Sequence, residues 1–137
     1  RVARVAAGIG IVEIEIADHA GVDEGRCVSR GLIAFADEAA AEFRARRDYL
    51  LPALREIGFR IPVVPQGAFY IYADCSALCD DSFAFARDLL EHAGVAITPG
   101  LDFGANLASR HVRFAYTSEI PQLAEGVKRI AEFLRRR

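Results

Sequence analysis

The sequence holds 137 residues, 53% hydrophobic and 26% charged, with a mean hydropathy of +0.17. That is enough chain for one domain with a real core, and no apolar stretch in it approaches the length of a membrane span or reads as a signal peptide. A net charge of -2 and a pI near 5.9 give no broad attraction for nucleic acid, and the one basic run, Arg135-Arg136-Arg137, reads as a solvated helix end.

In chain order, Val12-Glu13-Ile14-Glu15-Ile16 alternates like a strand, and Gly21, Gly25 and Gly31 break up the stretch after it. A long helical pattern comes next, with Ala36, Ala40, Phe43, Leu50, Leu54 and Ile57 on one side and Gly58 as its stop. Pro52 interrupts it, and a kink or two abutting helices are expected there. After the breakers Pro62, Pro65 and Gly67, the run Ala68 to Ala73 alternates as a strand.

Asp80, Asp81 and Ser82 offer an N-cap for a helix through His92. Phe83, Ala86, Leu89, Leu90 and Ala93 form its expected buried stripe, and Gly94 ends it. Val95 to Thr98 reads as a short strand closed by Pro99-Gly100. In His111 to Tyr116, Val112, Phe114 and Tyr116 point one way while His111, Arg113 and Ala115 point the other. Pro121 opens a last helix with Leu123, Val127, Ile130 and Leu134 on one face. The order α-β-α-β-β-α predicts an α+β layer, a small mixed sheet of three to four strands covered by helices.

Cys27, Cys75 and Cys79 are an odd number without metal-ligand pairing, read as free thiols of a cytoplasmic protein. His19, His92 and His111 have no partners at catalytic spacing, and Gly8-Ile9-Gly10 lacks the third glycine of a dinucleotide loop. The chain opens on Arg1 and contains no methionine, so a piece of a longer product or a processed one is expected.

The most informative segment is Pro99-Gly100-Leu101-Asp102-Phe103-Gly104, with Arg113 nine residues after Gly104. A half-buried strand has little use for an arginine unless its fork holds an anion. An ordinary ion pair with Asp102 or Glu119 is the alternative. Upstream, Pro65-Gln66-Gly67-Ala68-Phe69-Tyr70 supplies a second turn-then-strand unit, preceded by the helical Arg46-Arg47-Asp48-Tyr49-Leu50-Leu51.

In their order and spacing these segments resemble the C-terminal small domain of class I/II (fold type I) pyridoxal-phosphate-dependent aminotransferases, from about Gly31 to the end. The resemblance implies that Arg113 grips the substrate α-carboxylate and that Phe69 lies at the mouth of the active site. It places the turn carrying Gly100 and Phe103 near the substrate entrance. It makes pyridoxal phosphate the cofactor of full-length relatives and a large domain or second subunit the expected partner.

The only lysine, Lys128, falls on the solvent side of the last helix, so no Schiff-base lysine, catalytic residue or bound cofactor is expected in this chain. Residues 1–30 do not read like the family's helical lead-in, and a reading-frame change upstream of about Gly31 would account for them. The expectation is therefore an aminotransferase fragment, residues 31–137, inactive alone. The alternatives are a non-catalytic carboxylate-binding or protein-interaction module, or a chain that complements a separately encoded large domain.

Overall fold

The long helical pattern forms α1 (Ser29–Glu56), at the start of what a computed structural model describes, residues 29–137, with side chains from residue 37 onward. The alternating run at residues 12–16, the Gly8-Ile9-Gly10 segment, His19 and Cys27 lie outside the described residues. The helix includes Gly31, expected as a breaker, since a helical glycine costs only about 1 kcal/mol against alanine.

It also runs through Pro52 as one element rather than as two abutting helices. Pro52 lies on the exposed side, while Leu50, Leu51 and Leu54 are buried around it and hold the helix to the core on both sides of the missing N–H. Gly58 ends the helix as expected, with φ 104°. The Phe59 N–H donates to Leu54 O and the Gly58 N–H to Arg55 O, so a left-handed residue closes the last turn.

Next come β1 (Tyr70–Asp74), α2 (Ser82–Ala93) and the short β2 (Thr98–Pro99). Two 3₁₀ turns, Gly100–Phe103 and Ala108–Arg110, lead into β3 (His111–Ala115), and α3 (Ile120–Arg135) ends the fold. The element order is the expected α-β-α-β-β-α.

β3 lies between the other two strands, and both of its pairings are antiparallel, so the sheet is not mixed. β2 is shorter than the expected Val95–Thr98 strand. Pro99 has no N–H to donate and suits a sheet edge, while Val95 and Ile97 pack against the core.

Alternation decides the two faces of the sheet. Ile71, Ala73, Val112 and Phe114 are buried against Leu54 of α1, Phe85 and Leu89 of α2, and Ile130 of α3. Phe59 packs edge-on to Phe114 with ring centroids 5.0 Å apart. On α2 the buried residues are Ser82, Phe85, Ala86 and Leu89, with Ala93 packed against the core, so the predicted stripe holds at Ala86, Leu89 and Ala93 and fails at Phe83 and Leu90. Phe83 and Leu90 are 56% and 41% exposed. Both sets have helical spacing, and docking turned the helix toward Phe85, whose ring meets Phe59 and Phe133.

On α3, Ile130 is buried, and Leu123, Val127 and Leu134 pack against the core as the spacing required. No described helix is long and apolar enough to cross a membrane.

Candidate functional site

The sheet's other face carries Tyr70, Tyr72 and Asp74 from β1 and His111, Arg113 and Ala115 from β3. Register brings Tyr72 of β1 and Thr98 of β2 opposite Arg113, at the middle of the sheet. Arg113 is half-buried. Its Nη2 lies a long 3.4 Å from Thr98 Oγ1, and its buried Nε–H has no acceptor among the described residues. No described carboxylate comes within 4.0 Å of it, so the ion pair with Asp102 or Glu119 does not form.

A buried donor without an acceptor costs about 1–3 kcal/mol, more for a charged group. Two aromatic rings flank the same guanidinium, Phe103 at 4.5 Å and Tyr70 at 5.5 Å from ring centroid to Cζ. What remains is a cation with apolar walls and unused donors, a combination suited to a planar anion.

The predicted residues divide by how closely they approach this guanidinium. Phe103 touches it. Phe69 does not: half exposed, it packs edge-on to Tyr70 with centroids 5.5 Å apart and so reaches Arg113 only through that ring. Gly100 touches it through neither side chain nor charge; it supplies room. A Cβ on Gly100 would lie 2.4 Å from Ala108 O and 2.7 Å from His111 O, so only glycine lets the turn pass this close to the start of β3.

Four residues of this face were not read as site residues from the sequence: Tyr70, Tyr72, Thr98 and His111, although alternation already put His111 beside Arg113. Tyr72 meets Phe103 edge-on at 6.2 Å and stacks on His111 at 4.9 Å with the rings 4° apart. His111 Nδ1 is 2.9 Å from Leu107 O. The two tyrosines alternate with Ile71 and Ala73, a pattern that marks their shared face. Nothing local says which strand lies opposite.

Burial pushes the Tyr72 hydroxyl up from its ordinary value, with the nearby Cys75 thiol adding to the effect. Burial also works against the Asp74 carboxylate, but Ser76 hydrogen bonds, Arg60 and His111 outweigh it, and Asp74 titrates below its ordinary range.

α1 fixes the loops around this face. Arg47 Nη1 donates to Pro65 O at 3.0 Å, ahead of β1, and Arg46 Nη1 donates to Thr117 O at 2.7 Å, just past β3. Tyr116 is buried, its hydroxyl donates to Ala68 O, and its N–H donates to Phe69 O. The Arg46-Arg47 pair and Tyr116 thus anchor the turn that presents Phe69.

Lys128 is exposed on α3, 4.0 Å from Glu125 Oε2. Cys75 is buried and Cys79 half-buried, both as free thiols.

A three-stranded antiparallel sheet packed against helices is an α+β arrangement, and it is similar to part of the fold of solved aminotransferases. A crystal structure of an aminotransferase from Mycobacterium tuberculosis aligns with a TM-score of 0.74 and 36% identity, over 80% of this chain and 28% of that one. An aromatic aminotransferase from Pyrococcus horikoshii OT3 aligns with a TM-score of 0.73 and 29% identity, over 80% of this chain and 29% of that one.

The family model for aminotransferase class I and II matches residues 25–130, and the chain belongs to that family. Among curated relatives, the valine–pyruvate aminotransferase of Mycobacterium tuberculosis is 39% identical over 99 residues, 72% of this chain and 26% of its own length. The aspartate/prephenate aminotransferase of Thermus thermophilus is 41% identical over 103 residues, 75% of this chain and 26% of its own length. The chain therefore spans about a quarter of the length of these relatives.

Proposed function

We propose that residues 31–137 are the C-terminal small domain of an aminotransferase that exchanges amino groups between an amino acid and a 2-oxo acid. Arg113 binds the substrate α-carboxylate. The observation that carries this reading is the buried Nε–H of Arg113, which has no acceptor, and the guanidinium no carboxylate partner, among the described residues. A planar carboxylate accepts two parallel N–H bonds from one guanidinium, which fixes the orientation of the amino acid as well as its position.

Pyridoxal phosphate, the cofactor of full-length members of the family, supplies the electron sink for bonds at the amino-acid α-carbon. The residues of this chain do not fit its attachment. The single lysine of the sequence, Lys128, is exposed beside Glu125, away from the face that carries Arg113. Binding and orientation of the acid are therefore the contribution of this chain, and it does not transaminate alone.

Half-exposed Phe69, Leu101, Phe103 and Leu107 support a large domain as the partner of the open face. The free thiols Cys75 and Cys79 support a cytoplasmic protein.

Calorimetry of the chain with pyruvate tests the reading. Weak binding that disappears in Arg113→Ala is the expected result. Equal heats from both proteins would remove Arg113 from the carboxylate site and leave a domain that only packs against a partner.

A further inference from the structure

We infer that Phe103 is a positioning residue that acts through Arg113, holding the guanidinium so that its donors face the substrate carboxylate. The inference rests on the carboxylate reading above and adds the device that makes the arginine selective in direction. Among the described residues Arg113 has no acid partner to set its rotamer, and its one polar contact, to Thr98 Oγ1, is 3.4 Å long. An arginine side chain with so few ties samples many rotamers, and each one that turns away from the substrate weakens binding.

The rings replace the missing acid. Phe103 lies 4.5 Å from the Arg113 Cζ, nearer than Tyr70 at 5.5 Å. An aromatic face attracts the cation without using any of its N–H donors, which an acid partner would consume.

Phe103 is itself held. Its ring meets Tyr72 edge-on at 6.2 Å, and Tyr72 stacks on His111 at 4.9 Å. Its backbone belongs to the Gly100–Phe103 turn, which Gly100 brings into close approach with Ala108 O and His111 O. Gly104 comes next with φ 140°, a conformation open to glycine, so the turn leaves the face immediately after presenting the ring. Phe69, Tyr70, Arg113, Phe103, Tyr72 and His111 form one continuous row of ring and cation contacts, edge-on at Phe69–Tyr70 and Tyr72–Phe103 and stacked at Tyr72–His111, with the cation at its centre.

Phe103→Leu keeps apolar bulk at a half-exposed position and removes the ring, while Phe103→Tyr keeps the ring. The readouts are the Nε–H resonance that vanishes in Arg113→Lys and the affinity for pyruvate. In the unsubstituted chain the resonance is expected upfield of the other arginines because of the ring current. Phe103→Leu should cancel that displacement and weaken pyruvate binding about five- to tenfold, and Phe103→Tyr should preserve both.

A resonance unmoved by Phe103→Leu would overturn the inference. So would unchanged pyruvate affinity in Phe103→Leu alongside lost binding in Arg113→Lys. Absence of pyruvate binding by the unsubstituted chain would end the carboxylate reading instead, with the resonance still deciding whether Phe103 holds the fork.

Discussion

Gly100 and Gly67 occupy turns of similar appearance in the sequence, each beside a proline-bearing segment and ahead of an aromatic residue, yet they meet different surroundings. A methyl group on Gly67 would touch nothing within 4 Å, and one on Gly100 would strike two backbone oxygens at 2.4 and 2.7 Å. Backbone oxygens cannot yield as a flexible side chain can. Gly100→Ala should therefore lower stability by about 1–3 kcal/mol, and Gly67→Ala should be neutral or slightly favourable. Urea midpoints of the two variants measure the difference. Equal midpoints would mean that the turn does not press on β3.

At the scale of elements, α2 shows how a helix end is chosen among neighbouring candidates. Asp80, Asp81 and Ser82 all qualify by residue type, and the structure uses Asp81, whose carboxylate accepts from the N–H groups of Phe83 and Ala84 at 2.9 and 3.3 Å. Ser82 instead turns inward, is fully buried, and donates to Ala108 O at 3.0 Å. Asp81→Ala should cost about 1 kcal/mol, and Asp80→Ala should leave the thermal midpoint in place. A larger loss from Asp80→Ala would reverse the assignment of the cap.

Helix ends were legible in the sequence because caps are local chemistry: Gly58 and Gly94 both close helices with positive φ, as their positions required. The faces of β1 and β3 were legible for a related reason, since alternation is local too. Which aromatic on α2 goes inside was not, because Phe83 and Phe85 each complete a helical stripe and the rest of the core decides between them. The setting of Arg113 was half legible. Its strand and the face it shares with His111 and Ala115 could be read from alternation, but the Tyr72–Arg113–Thr98 register depends on strands far apart in sequence.

For the molecule as a whole, titrating groups bound the pH range of stability on two sides. Hydrogen bonds and nearby cations outweigh burial at Asp74 and hold its folded pKa below the ordinary 3.8. Its contribution is therefore complete above that value and is lost as pH falls through the lower folded one. The opposite sign applies to two thiols and two phenols. Burial pushes Cys75 and Cys79 up from 9.0, and Tyr72 and Tyr116 up from 10.0, so the native state retains protons that the unfolded chain releases.

Their contribution is complete below pH 9.0 and declines as pH rises past it, by about 1.4 kcal/mol per pH unit for each proton fully withheld. Denaturation midpoints measured from pH 3 to pH 11 should thus show a plateau, a shallow acid limb and a steeper alkaline one. Cys75 lies in the core at 0% exposure, so Cys75→Ala should lower the whole curve by opening a small void. It should also flatten the alkaline limb, because one of the withheld protons is gone. A variant that shifts the curve down without changing that slope would show that the Cys75 thiol does not titrate on unfolding, and would leave Cys79 and the tyrosines to account for the alkaline loss.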